Sequence, residues 1–215
     1  MTTFNRDFDH MLEVLYGWMD ASSLVKRVPV TTGTDDDVDP DNILAGRVGH
    51  LETDGFHLGA DDNGAAMPLF LASSYSDLDV DNTGVDPDGN DIWTAVNPND
   101  LLLTLPATGG YEMQTTEFDN TQTYSVNTYL TAMPSSAATV GKLTPGTLYE
   151  DWIVGICSAH EGSKTYTKGT SKFDACYTST TGTWASATCG PLGYNANGKA
   201  VLTFWSYFLP AYPAN

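Results

Sequence analysis

The sequence is short of basic residues: nine Lys and Arg stand against 27 Asp and Glu in 215 residues, a formal net charge of −18. The shortage is local. Residues 1–30 hold four acids and three bases, residues 31–141 nineteen acids and the single base Arg47, and residues 142–215 four acids and five bases. A nucleic-acid partner is gripped by Lys and Arg that displace counterions from its phosphates. A stretch from Val48 to Gly141 with neither residue argues against nucleic acid as partner, and no polybasic patch for a membrane surface is present.

Long apolar runs are missing too, so no segment reads as a membrane span. Met1–His10 is polar and charged, without the apolar core of a secretory leader. The expectation is a protein assembled in cytoplasm that leaves a cell by lysis, by another export route or as part of a particle. Cysteine is scarce. The odd set Cys157, Cys176 and Cys189 speaks against a complete disulfide framework and favours reduced, buried thiols. A Cys176–Cys189 bridge would close a loop, and nothing in the sequence requires it.

Recognisable catalytic patterns are also lacking. There is no Gly-x-Ser-x-Gly elbow, no His-Glu-x-x-His run and no phosphate-binding glycine loop. His50 and His57 flank a turn with Glu52 and Asp54, which allows a His–acid pair, but a histidine in a hairpin more often makes structural hydrogen bonds. The expectation is a protein that is not an enzyme.

What is present is turn and strand chemistry. Twenty Gly, eleven Pro and abundant Thr and Asn punctuate short apolar segments, and a hydrophobic content of 41% is enough for an ordered core despite the charge. Strands are expected at Ile43–Leu51, with Asp54-Gly55 turning into Phe56–Leu58, and at Met67–Ala72. Leu101–Leu105 and Tyr111–Phe118 flank Thr108-Gly109-Gly110 as a second hairpin. In Tyr111–Phe118 the apolar and polar residues alternate as in a half-buried strand. Tyr124–Leu130 alternates likewise, and Asp151–Cys157 and Ala200–Phe208 are the most apolar strands.

Phe4, Phe8, Met11, Leu12, Leu15 and Met19 recur at helical spacing and predict a short amphipathic helix near residues 5–17. The expected fold is therefore all-β, a mainly antiparallel barrel or sandwich, with a short N-terminal helix or arm. Residues 1–30 would form the arm and residues 31–215 the β-rich domain, with 158–195 a possible small insertion.

Two metal candidates arise. Asp79-Val80-Asp81-Asn82-Thr83-Gly84 places Asp79, Asp81 and Thr83 at calcium-loop positions 1, 3 and 5 with glycine at 6. The pattern then departs, with Pro87 at position 9 and Asn90 where a bidentate Glu belongs, so a solvated acidic loop is the favoured reading and no cofactor is expected. Cys157, His160, Cys176 and Cys189 offer four zinc ligand types without zinc-knuckle spacing. The aromatic run Phe204-Trp205-Ser206-Tyr207-Phe208 is apolar on both faces, as in a central core strand or a strand that also meets another subunit.

Ile43-Leu44-Ala45-Gly46-Arg47-Val48-Gly49-His50-Leu51-Glu52-Thr53-Asp54-Gly55 resembles the early strand and turn of small virion proteins of tailed bacteriophages. The later order is similar as well: Tyr124–Leu130, Gly141-Lys142-Leu143-Thr144, Trp152–Ile156, then Val201–Trp205 with Phe208-Leu209-Pro210. The chain resembles a head decoration, or cement, protein over about residues 24–210. The resemblance implies a β-rich homo-oligomer, often a trimer, that binds the outer surface of the major capsid protein shell and bridges capsomers. Phe4, Phe8, Met11, Leu12 and Leu15 of the arm, with Phe204, Trp205 and Tyr207, are then the expected capsid or subunit contacts. A tail or neck component, or a calcium-dependent extracellular adhesin or carbohydrate-binding module, is the alternative.

Overall fold

In the computed structural model the described residues are 2–3, 10–17, 26–29, 43–53, 55–72, 101–134, 139–158, 166–167, 170–171, 177–178, 183–184, 191–194 and 199–211. Their strands, in chain order, are β1 (Thr2–Thr3), β2 (Leu12–Gly17), β3 (Lys26–Pro29), β4 (Val48–Leu51), β5 (Phe56–Leu58) and β6 (Leu69–Leu71). β7 (Leu101–Pro106), β8 (Tyr111–Thr115), β9 (Tyr129–Ala132), β10 (Leu143–Pro145) and β11 (Ile153–Cys157) follow. The short β12 (Tyr166–Thr167), β13 (Thr170–Ser171), β14 (Tyr177–Thr178) and β15 (Thr183–Trp184) precede β16 (Leu192–Tyr194) and β17 (Ala200–Leu209).

Among the described residues two antiparallel sheets make a sandwich and no barrel closes, while β12–β13 and β14–β15 form separate two-stranded pairs. The larger runs β1-β2-β8-β17-β11-β9-β10, with β16 paired to the start of β17; the smaller runs β3-β7-β6-β4-β5. Register explains how they meet. Val14 lies opposite Met113, Met113 opposite Phe204, and Phe204 opposite Cys157, so one row of apolar side chains crosses four strands. In the smaller sheet Leu105 lies opposite Phe70, and Phe70 opposite Val48. The rows belong to one buried cluster, and the Phe70 and Phe204 rings meet at 5.5 Å between centroids. Each such side chain stabilises the fold by about 1.5–3 kcal/mol. Leu58, Leu69, Leu71 and Leu102 point to the opposite face of the smaller sheet and pack with Ile43, Phe56 and Val140.

β17 was expected as a central strand, and it has β8 on one side and β11 and β16 on the other. β4 and β5 pair antiparallel as expected, with the Glu52 amide donating to the Gly55 carbonyl; Asp54 lies outside the described residues. Three expectations change. Residues 12–17 form strand β2 against β8 and not a helix. Leu12 and Val14 point inward with Glu13 between them, so the same residues satisfy a period of two; cross-strand pairing overrides the helical spacing. β7 and β8 are not a hairpin, because they lie in different sheets. Gly109 and Gly110, at φ 81° and 83°, carry the chain across from one sheet to the other. Tyr124–Leu130 is a strand only from Tyr129. Asn127 at φ 70° and a Ser125–Thr128 turn precede it, and the Tyr124 hydroxyl donates to the carbonyls of Asp119 and Leu143.

β8 is also more buried than its alternation predicts: Glu112 and Gln114 on its second face are as buried as Tyr111 and Met113. Ser158 donates to Glu112, and Gln114 to Glu13, both at 2.5 Å.

Candidate docking groove

The strongest candidate for a functional site is an apolar groove at one end of the sandwich. It is lined by Met67, Ala107, Thr108, Gly109, Gly110, Tyr207 and Phe208, with a volume of about 590 Å³. Its position follows from the topology. Ala107–Gly110 form the crossing between the sheets, and Tyr207 and Phe208 lie near the end of β17. Phe208 packs against the main core, whereas Met67 and Tyr207 are 49% and 40% exposed.

The walls are held by buried polar contacts. The Asp61 carboxylate accepts hydrogen bonds from the amides of Asn63, Ala65 and Ala66 at 3.0, 2.8 and 2.7 Å, which fixes the loop leading into Met67. Burial works to raise the Asp61 pKa, but these amides, with the nearby His50, outweigh it and hold it below the ordinary carboxylate value. The buried Trp152 indole donates to the Ala66 carbonyl at 2.7 Å. Beyond β17, the Ala211 amide donates to the Gly64 carbonyl at 3.0 Å. Among the described residues no charged side chain lines the groove; Asp62 is exposed in the loop that leads into Met67.

The expected contact residues separate sharply. Tyr207 lies at the groove. Trp205 is half-buried on the outward face, opposite Glu112 and Ile156. Met11, Leu12 and Phe204 are at most 2% exposed and lie within the chain's own core. Leu15 is half-buried beside a register shift in β2. Phe4 and Phe8 lie outside the described residues, as do Asp79, Asp81 and Thr83 of the calcium candidate and His160, Cys176 and Cys189 of the zinc candidate. Cys157 is buried, and burial pushes its thiol up to about 12, which keeps the free thiol protonated at neutral pH. Among the described residues no group of three His, Cys, Asp or Glu is set to hold a metal.

Sequence reasoning missed Met67 and the crossing residues. Thr108-Gly109-Gly110 carried the signal but read as a hairpin turn, and a lone Met before Pro68 gives none.

Two polar clusters are structural in character. Buried Glu117 accepts from Arg47 Nε at 2.9 Å and from His10 Nδ1 at 2.7 Å, with Lys142 Nζ at 3.9 Å. Burial opposes its charge, but His10, Arg47 and Lys142 together lower its pKa. This cluster ties the start of β2 and the turns before β4 and β10 to the end of β8. His50 forms the expected His–acid pair with Glu52 at 3.1 Å, stacks near His57 and meets the Trp152 edge.

No family model matches the chain, and comparison with curated proteins and with solved structures finds no significant match.

Proposed function

We propose that this chain is a virion structural protein, a capsid decoration protein that binds the outer capsid surface and bridges capsomers without catalysing a reaction. The observation that carries the reading is an uncharged, partly aromatic groove on a chain of net charge −18. Apolar patches bounded by polar surface mark sites of protein contact. The stretches that carry the family resemblance also fall on β4, β9, β10, β11 and β17 or the turns beside them, the framework of both sheets.

In this reading the partners are the major capsid protein and further copies of the chain, as a trimer, on a virion assembled in host cytoplasm. The net charge of −18 keeps the chain hydrated and repels non-specific association. Each contact is modest, and many copies on one shell add avidity. Copurification tests it: the chain should accompany phage heads at a copy number in fixed proportion to capsomers. Its absence from heads, or a few copies confined to the tail or neck, would overturn the reading.

A further inference from the structure

A row of buried polar side chains crosses the larger sheet on the face opposite Met113 and Phe204. Glu13 of β2 lies opposite Gln114 of β8, and Gln114 lies opposite Thr203 of β17. The Ser158 amide donates to the Thr203 carbonyl at 3.1 Å, which sets Ser158 beside Thr203 on the side away from β8. Glu112, two residues before Gln114 and on the same face, accepts from the Ser158 hydroxyl at 2.5 Å. Its side chain therefore reaches across β17 in the neighbourhood of Thr203. Glu13, Glu112, Gln114, Ser158 and Thr203 are all at most 8% exposed.

Two atoms of this row are left over. Thr203 Oγ1 and Gln114 Oε1 are buried and make no hydrogen bond, which is uncommon for such groups. The Gln114 carboxamide has a fixed orientation, because Nε2 donates to Glu13 Oε2 at 2.5 Å. Backbone pairing brings the two side chains together. The Thr203 amide donates to the Pro191 carbonyl and the Thr203 carbonyl accepts from Ser158, so neither points at β8. Thr203 and Gln114 are thus a non-hydrogen-bonded pair, the kind in which antiparallel side chains approach most closely. A hydroxyl stands against a carboxamide carbon, with one carboxyl on the carboxamide nitrogen and a second crossing the hydroxyl's strand.

We propose that Thr203 and Gln114 join in an ester that cross-links β17 to β8. Thr203 Oγ1 bonds to Gln114 Cδ, the Cδ–Nε2 bond breaks, and the nitrogen leaves as ammonia. Glu112 takes the hydroxyl proton, and the carboxyl pair returns one proton to the departing nitrogen beside Glu13. The sum is alcohol plus amide giving ester plus ammonia, with no oxidant or further reactant. Fixed contact between the reacting atoms supplies the effective concentration that this step lacks in water, and the carboxyls supply the proton transfers. Burial then keeps water from hydrolysing the product. The reaction runs once in each chain and braces two central strands of the larger sheet, whatever the chain binds.

Intact-mass spectrometry of the folded full chain tests the bond. The chain should weigh one ammonia less than its sequence, and tandem spectra should show a peptide containing Gln114 joined to one containing Thr203. Alkaline hydroxylamine, which cleaves esters and spares amides, should separate the two. Thr203→Val, close in shape, should restore the sequence mass, whereas Thr203→Ser should keep the loss. Glu112→Gln should slow formation of the linked form during refolding by about a hundredfold. The mass of the unaltered chain does not depend on any variant folding. The full sequence mass in that chain, an ammonia loss mapped to another place such as Asn63-Gly64, or a loss that survives Thr203→Val would overturn the proposal.

Discussion

Glu117 is the residue on which most separate segments converge, and its energetics are one-sided. A buried ion pair adds little net stability over a well-packed apolar pair, but breaking one partner leaves an uncompensated charge and costs about 3–5 kcal/mol. Glu117→Ala should therefore lower unfolding free energy by about that amount, read from urea denaturation at pH 7. The pH dependence has a definite sign. The folded pKa lies below the unfolded one, so the carboxylate's contribution is fully present above the unfolded value of about 4.3 and is lost as pH falls through the folded value. The stability gap between the unaltered chain and Glu117→Gln should shrink steadily as melts are run from pH 6 towards pH 3. A constant gap would show that the cluster does not act through its charge. Glycine positions differ by their surroundings. Gly46 has φ 95°, and an added Cβ would sit 2.1 Å from Thr115 Oγ1 and 2.8 Å from the Met11 carbonyl. Gly109 has φ 81° with nothing nearer than 3.7 Å. Gly109→Ala carries the left-handed penalty alone, about 1–2 kcal/mol. Gly46→Ala adds displacement of two strands' contacts and should be the more destabilising in thermal melts.

Among the elements, β2 alters the account most. A removable arm would be deletable without harm to the β domain. A strand whose Leu12 is fully buried and whose Val14 stands opposite Met113 would not be. Leu12→Ala should cost about 2–5 kcal/mol. Deleting residues 1–20 should unfold or grossly destabilise the sandwich, seen as loss of a cooperative melt; retention of the full melting temperature would restore the arm. This also shows what the sequence made legible. β4, β5, β6, β11 and β17 were readable because a turn signal or a run of Val, Ile, Leu and Phe leaves few alternatives. β2 was not, because Met11, Leu12 and Leu15 fit a helical spacing while Leu12 and Val14 fit a strand spacing, and only the distant partner β8 decides between them. The β7–β8 crossing failed for a related reason: two adjacent glycines permit a turn within a sheet or a passage between sheets. The groove inherits that failure. Tyr207 was visible in the aromatic run, whereas Met67 reaches the site through a loop folded around Asp61, a contact pattern with no periodicity to read.

At the scale of the molecule, a chain of net charge −18 carries a groove whose described lining holds no charged side chain. The acidic excess of residues 31–141 keeps the chain hydrated, and the uncharged groove at the end of β17 offers the exposed apolar contact. The most direct measurement of the central claim is a cryo-EM reconstruction of phage heads with and without this protein. The account predicts added density on the outer capsid face at the junctions between capsomers, with the end of β17 against the shell. Density confined to the tail or neck, or none at all, would contradict it.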